Sequence, residues 1–219
     1  MSLRPPTPVP AGFRSAVIVA DGASSGDVPA EADAVVFGAV PRSGLVAELR
    51  ARRPDLAIYA ALDGVDDPRL DGCMLQRPDG VLLRDARSGR DVAALGGRLA
   101  VGEAIAGLPD GATAILAAIG HPHGVLEGRS FAGASPRLAG LGLDGPALAG
   151  ALGEGSVLAQ ARGLVRLAAA AAGVTAFALL TADEASLSEG LAAVREDGFG
   201  SVVIGDPALL LRRPRDAAG

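Results

Sequence analysis

The only two histidines of the chain, His121 and His123, follow the apolar run AILAAI, which is typical of a buried strand. Imidazole suits zinc, copper, iron or nickel better than magnesium, so a metal site here would hold one of those ions. A third ligand would have to come from Asp144, Asp85 or Glu127. Two other interpretations remain open: histidines that are solvated or cap a helix in a strand-to-helix loop, and histidines that contact an anionic ligand.

Three charged residues follow other apolar runs and are further candidates for binding a ligand. Arg84 and Asp85 adjoin after the run GVLL, and a structural ion pair, with each other or with groups at other strand ends, is favoured over a catalytic role. Asp144 lies two residues before Pro146, a spacing that favours a helix cap over catalysis.

The composition excludes several classes of enzyme. All twenty basic residues are arginine, so a Schiff-base aldolase, a pyridoxal-phosphate enzyme and a P-loop phosphate binder, which each need a lysine, are excluded. No HExxH or Walker motif stands in the sequence. The single cysteine, Cys73, allows no internal disulfide and is expected to be buried.

The charge and hydropathy patterns indicate a protein that binds neither nucleic acid nor membrane, and the single cysteine favours the cytoplasm. The formal net charge is −5 and the arginines are scattered, whereas a nucleic-acid surface needs a basic cluster. No window approaches 18 apolar residues without glycine or charge, and the first ten residues lack the apolar core of a signal peptide.

Eight short apolar runs alternate with stretches of helical spacing, which predicts repeated βα units. The predicted strands are Ser15–Ala20, Ala34–Phe37, Ala57–Leu62, Gly80–Leu83, Ala112–Ile119, Leu138–Leu143, Val174–Leu180 and Ser201–Gly205. Eight such units predict a single (β/α)8 TIM barrel over 13–213, with a flexible Pro-rich arm at 1–12 and a flexible tail at 214–219. An open doubly wound sheet is the alternative. In a barrel, the charged residues and histidines named above would meet at the carboxyl ends of the strands.

The predicted helices are Ser43–Arg53, Ser88–Gly107, Pro122–Gly133, Pro146–Ala172 and Asp183–Asp197. Three residues mark where helices begin or end. The hydroxyl of Ser43 is expected to cap the first helix, and Pro146 suits a first turn because its missing N–H is not needed there. Gly173 is expected to end the fourth helix in the left-handed conformation.

The order of several segments resembles the citrate lyase beta subunit family, the CoA-ester lyases of the HpcH/HpaI aldolase superfamily. The resemblance covers most of the chain and rests on RSAVIV at 14–19, ADAVVF at 32–37, DGVLL at 79–83, PRLAGLGLDGPALAGALG at 136–153 and GFGSVVIGDP at 198–207. The chain is shorter at its C-terminus than family members usually are, so the resemblance implies a barrel truncated there. It also implies a homo-oligomer or association with a paralogue.

The resemblance implies a magnesium site and an acyl-CoA substrate site, which cleave or form C–C bonds through a metal-stabilised enolate. When the family's motifs are aligned with this chain, the two positions of the carboxylate ligands fall on Gly120 and Ala147, and the position of the substrate arginine falls on Ala61. The Leu-Pro-Lys end of the family's fourth strand reads Leu83-Arg84-Asp85 here, and the acidic motif after the second strand is reduced to FGAV at 37–40. Magnesium prefers oxygen ligands, so no magnesium is expected at these positions.

The resemblance therefore implies a degenerate relative, a pseudoenzyme without the family's magnesium-dependent lyase activity. We expect such a chain to act as a ligand-binding or partner protein for an acyl-CoA or a small carboxylate, with Arg84, Asp85, His121, His123 and Asp144 as candidate ligand-binding residues. One alternative is an active carbon–carbon lyase or aldolase with a relocated or non-magnesium metal site at the two histidines. Another is a purely structural subunit.

Overall fold

A closed barrel of eight parallel strands forms the protein. Its computed structural model describes residues 14–19, 22–153, 155–181 and 184–205. The strands follow one another around the barrel in chain order, and β1 pairs with β8 as well as with β2. This closure confirms the (β/α)8 barrel and excludes the open doubly wound sheet, which would leave two unpaired edges. The predicted arm and tail lie outside the described residues.

The strands agree with the predicted ones to within two residues at each described end. They are Ser15–Val19 (β1), Ala34–Phe37 (β2), Ala57–Leu62 (β3), Gly80–Leu83 (β4), Ala114–Ile119 (β5), Leu138–Asp144 (β6), Thr175–Thr181 (β7) and Ser201–Gly205 (β8). Most of these segments are apolar on both faces, as expected for a parallel sheet covered by helices outside and filled inside.

A 3₁₀ turn at Ser25–Asp27 lies between β1 and β2, and α-helices lie between the later strands: Leu45–Arg52 (α1), Leu70–Leu75 (α2), Gly89–Ala106 (α3), Pro122–Leu126 (α4), Gly145–Leu152 (α5), Ser156–Ala172 (α6) and Glu184–Glu196 (α7). Two predicted helices are wrong in extent. The one predicted over Pro122–Gly133 ends at Leu126 and is followed by a 3₁₀ turn, and the one over Pro146–Ala172 is two helices. None of the described helices has both the length and the apolar character needed to cross a bilayer.

Helix ends test three local predictions. Asp144 accepts the Ala147 N–H at 3.1 Å, with Pro146 in the first turn of α5, so both predictions for this helix are confirmed. Gly173 ends α6 with φ of 70°, also as predicted. The Ser43 cap is wrong, because α1 is capped by Gly44 at φ of 86° with no side-chain hydrogen bond.

Two aromatic rings, Tyr59 and Phe177, fill the inside of the barrel and are both buried. A Cβ at Gly142 would lie 2.5 Å from the Phe177 ring, and one at Gly80 would lie 2.5 Å from the Tyr59 ring. Because glycine occupies these positions, the rings fit without displacing the strands. The other inward side chains are small or aliphatic, which accounts for the low aromatic content of the chain.

A buried ion pair joins α3 to the amino ends of β5 and β6. The Glu103 carboxylate accepts the Thr113 N–H at 2.7 Å and the Gly111 N–H at 3.0 Å, and lies 2.6 Å from Arg137. Burial opposes ionisation of Glu103, but the bonds from Arg137 and from the Thr113 and Gly111 N–H groups outweigh it and lower its pKa. This pair lies at the end of the barrel opposite the candidate site, where a stabilising role is expected.

Candidate functional site

Arg84 extends into the mouth of the barrel, the end formed by the carboxyl ends of the strands. Its N–H donates to Leu62 O at 2.9 Å, so it continues the pairing of β4 with β3. The next residue, Asp85, has a left-handed φ of 53°, and Ala86 N then donates to Ala118 O on β5 at 2.9 Å. This turn directs the two adjacent charged side chains to different partners.

The Arg84 guanidinium forms ion pairs with two carboxylates across the mouth. Nη1 lies 3.7 Å from Asp63 Oδ1 after β3, and Nη2 lies 3.7 Å from Asp144 Oδ2 at the end of β6. The Arg84 side chain is nearly buried, whereas Asp63 is half-exposed. Of the two arrangements considered for Arg84 and Asp85, the pair across the mouth is therefore the one that forms.

Asp144 is a buried carboxylate with two structural partners. One oxygen accepts the Ala147 N–H, and the other faces Arg84. Burial raises the pKa of Asp144, because desolvation outweighs the opposing effects of the Arg84 charge and the Ala147 N–H. Asp144 is therefore protonated more readily than an exposed aspartate.

Arg69, just before α2, extends this charged network and was not predicted. Its Nη2 lies 2.9 Å from Asp63 Oδ2, it donates to Asp67, and Nη1 donates to Gly38 O in the loop after β2. Burial opposes ionisation of Asp67, but hydrogen bonds from Arg69 and from the Asp63 N–H outweigh it and lower its pKa. The network links the loops after β2, β3, β4 and β6.

The remaining candidate residues form local contacts. Asp85 pairs with Arg87 at 2.8 Å, away from Arg84. His121 caps α4, since its Nδ1 accepts the His123 N–H at 3.0 Å, and His123 is exposed. The capping interpretation of His121 is thus confirmed. Among the described residues no group of three or more His, Cys, Asp or Glu side chains is placed to hold a metal ion, so the histidine metal site gains no support.

Gly120 and Ala147, the two positions that the resemblance assigns to the magnesium ligands, lie side by side. A Cβ on Gly120 would be 3.1 Å from the Cβ of Ala147 and 3.4 Å from that of Asp144. Neither residue has a side-chain oxygen, and the neighbouring Asp144 carboxylate already faces the Arg84 cation. The residues present therefore do not fit a magnesium ion, which needs several oxygen ligands and is repelled by a nearby positive charge.

Comparisons with solved structures support the barrel fold. No family model matches the chain, and no curated protein matches it. RipC from Yersinia pestis is 22% identical, with a TM-score of 0.64 over 91% of this chain and 92% of that one. An HpcH/HpaI aldolase/citrate lyase family protein from Burkholderia cenocepacia is 15% identical, with a TM-score of 0.69 over 92% and 91%.

A third similar structure is the Haloferax volcanii malate synthase in its complex with magnesium and glyoxylate. It is 15% identical, with a TM-score of 0.69 over 95% of this chain and 78% of that one. The solved structures that the fold resembles thus include HpcH/HpaI aldolase and citrate lyase family members together with a malate synthase. At these identities the likeness establishes the fold, which is the one that the sequence resemblance implied.

Proposed function

We propose that the chain is a divergent relative of the citrate lyase beta subunits and HpcH/HpaI aldolases that lacks their magnesium-dependent lyase activity and serves as a ligand-binding or partner protein. The main support for this proposal is that Gly120 and Ala147 lie side by side in the structure. The two positions meet in space as a pair of metal ligands must, which supports the match of positions drawn from the sequence. Neither position supplies a carboxylate.

Without these two carboxylates the chain would lose the divalent cation that acts as the electrophile in the family's reaction. An enolate formed beside a divalent cation is stabilised by several kcal/mol, and each 1.4 kcal/mol or so is worth about a tenfold change in rate. The chain places an arginine in the same mouth instead. A guanidinium can hold an anion by paired hydrogen bonds, but it offers no open coordination position for a reacting oxygen.

Arg84 is the residue through which such a barrel would bind a ligand. A small carboxylate, or the acyl part of an acyl-CoA that carries one, would compete with the half-exposed Asp63 for the guanidinium. The imidazole of His121, half-buried at the start of α4, offers a second polar group after the neighbouring strand. A cytoplasmic location and association with a catalytically active paralogue belong to the same proposal.

Magnesium titration of designed variants tests the missing site. We expect no stoichiometric magnesium binding by the unaltered protein in isothermal titration calorimetry, and no turnover of malyl- or citryl-type thioesters. The double variant G120E/A147D restores both carboxylates and is expected to bind one magnesium ion. The matched control G120Q/A147N has nearly the same size without the charge and should bind at least tenfold more weakly.

Two results would contradict the proposal. Stoichiometric magnesium on the unaltered chain, or thioester turnover, would overturn the loss of activity. Failure of G120E/A147D to bind magnesium would remove the support drawn from the pairing of the two positions. The binding role is tested separately by thermal shift with acetyl-CoA, malate and oxaloacetate, where R84M is expected to abolish any shift that the unaltered protein shows.

A further inference from the structure

The Asp63 carboxylate lies between two arginines. Its Oδ2 is 2.9 Å from Arg69 Nη2, and its Oδ1 is 3.7 Å from Arg84 Nη1, so each oxygen faces a different guanidinium. Carboxylate and phosphate groups suit arginine because they have two or more oxygens that can accept hydrogen bonds in parallel. The two arginines are therefore arranged to hold one oxyanion, and Asp63 supplies it.

Each of these arginines also has a more buried carboxylate partner. Asp67 pairs with Arg69 and has a side chain that is 4% exposed, and Asp144 pairs with Arg84 and is 2% exposed. The Asp63 side chain, in contrast, is 43% exposed. Because every arginine of the pair keeps a buried counter-charge without it, Asp63 is not needed to neutralise them. Asp63 is therefore the carboxylate that a ligand from solvent can replace.

Both guanidinium groups are held by contacts that do not involve the Asp63 side chain. Arg69 Nη1 donates to Gly38 O, and its Nε donates to Asp67 Oδ1 at 3.0 Å. Arg84 is only 11% exposed, so the packing around it restricts its side chain. The main-chain N–H of Asp63 donates to Asp67 Oδ2 at 2.9 Å, which fixes the loop. The two cations should therefore stay in place when the Asp63 carboxylate moves away or is removed.

We infer that Arg69 and Arg84 form an oxyanion site, which Asp63 fills, and that the carboxylate or phosphate group of a ligand enters by displacing Asp63. The inference rests on the ligand-binding role proposed above and adds two residues to it. Displacement needs only rotation of a half-exposed side chain into water, since the main chain of its loop is held by Asp67.

The Asp63 carboxylate would also determine which anions bind. It is attached to the chain, so its effective concentration beside the two arginines is high, and a free anion of the same kind competes with it poorly. A larger ligand gains further contacts with the loops and can displace it. Asp63 is thus a specificity residue, which excludes simple anions and admits an oxyanion carried by a larger molecule.

Anion titration of D63A tests this site. Removing the carboxylate leaves room for a free anion, so we expect D63A to bind acetate or phosphate at least about tenfold more tightly than the unaltered protein does. Nuclear magnetic resonance of the ¹⁵N-labelled arginine side chains measures the binding, with sodium chloride at equal ionic strength as the blank. Tighter binding of either anion supports the inference, and the anion that binds more tightly identifies the preferred head group.

Two double variants test whether both arginines take part. D63A/R69Q and D63A/R84Q each replace one guanidinium by a neutral amide, which can still donate a hydrogen bond to the buried carboxylate. Each should lose at least about tenfold of the anion affinity of D63A. Circular dichroism checks that the variants are folded. D63N, which has nearly the same size without the charge, takes the place of D63A if that variant does not fold.

The matched control is D110A at the opposite end of the barrel. It removes an exposed carboxylate from Arg137, which keeps Glu103 as its buried partner, but no second arginine shares that carboxylate among the ion pairs of the described residues. D110A should therefore bind acetate and phosphate no more tightly than the unaltered protein.

Three results would overturn the inference: equal anion affinity in D63A and the unaltered protein, full affinity in either double variant, or binding by D110A as tight as that by D63A. Stoichiometric magnesium or thioester turnover on the unaltered chain would overturn the proposed loss of activity and leave these anion affinities unaffected. The two failures are therefore distinguishable.

Discussion

The Arg84 guanidinium lies 3.7 Å from the Asp144 carboxylate, so a charged pair joins the ends of β4 and β6 across the barrel mouth. Asp144 also caps α5 through the Ala147 N–H, so one buried carboxyl orders both a helix start and a cation. Burial raises its pKa despite these two partners. The ionised carboxylate is consequently a cost to the folded state at neutral pH, although the cap and the pair reduce it.

The first prediction concerns the pH dependence of D144N. Because the pKa of Asp144 is raised above the 3.8 of an ordinary aspartate, its stabilising contribution is full below that pH and is lost as the pH rises through the raised pKa. Asparagine keeps the cap and never ionises. We expect the Tm of D144N to rise relative to the unaltered protein from about pH 4 to about pH 8, as measured by scanning calorimetry. A Tm difference between D144N and the unaltered protein that falls with pH would show that the Arg84 charge outweighs burial.

The control D144A also loses the cap and should be less stable than D144N by about 1 kcal/mol.

The second prediction concerns the buried pair of Glu103 and Arg137. E103Q leaves the Arg137 charge without its buried partner and is expected to lower the free energy of unfolding by about 3 to 5 kcal/mol at neutral pH. Since the pKa of Glu103 is lowered, its contribution is present above the unfolded value of 4.5 and is lost as the pH falls through the folded one. The loss in E103Q should therefore shrink in acid, which urea unfolding at several pH values would measure.

The exposed Asp110 supplies the control for that experiment. It lies 2.6 Å from the same Arg137, but its side chain is 87% exposed. D110N should therefore cost less than about 1 kcal/mol, as exposed pairs usually do. Equal losses in D110N and E103Q would show that burial does not set the strength of this network.

The third prediction concerns the packing of Gly142 against Phe177. G142A places a methyl group 2.5 Å from the ring, so we expect a loss of about 1 to 3 kcal/mol in urea unfolding through overpacking. F177L alone should also destabilise, because it leaves a cavity. The double variant G142A/F177L should lose less than the two single losses added together, since the methyl group then enters the space that the ring vacates. Additive losses would mean that the two residues do not share this space.

The sequence predicted the barrel well because its strands are buried on both faces and so are continuous apolar runs, such as AIYAAL at Ala57–Leu62. The residues at which helices begin and end were harder to predict from the sequence. The six-residue α2, with Gly72 inside it, is too short for a periodic pattern. The break between α5 and α6 was hidden because alanine and leucine continue on both sides of Gly153 and Gly155, whose φ values of 75° and 129° interrupt the helix.

Less of the candidate site could be predicted. Asp144 was identified as a cap from its spacing to Pro146, a local signal. The partners of Arg84 depend on which strand ends face each other across the mouth, and no local pattern contains that information. Arg69 was missed although Asp63 and Asp67 precede it closely in the same loop; only its bond to Gly38 O depends on the packing of a neighbouring loop.

The glycine gaps that receive Tyr59 and Phe177 have a consequence for the kind of molecule the protein can hold. With both rings inside, packed side chains fill the interior of the barrel. A ligand of the kind proposed above would therefore lie across the loops at the rim and not along the barrel axis. The loop residues would then decide which ligand binds, while the filled interior could stay the same as they diverge.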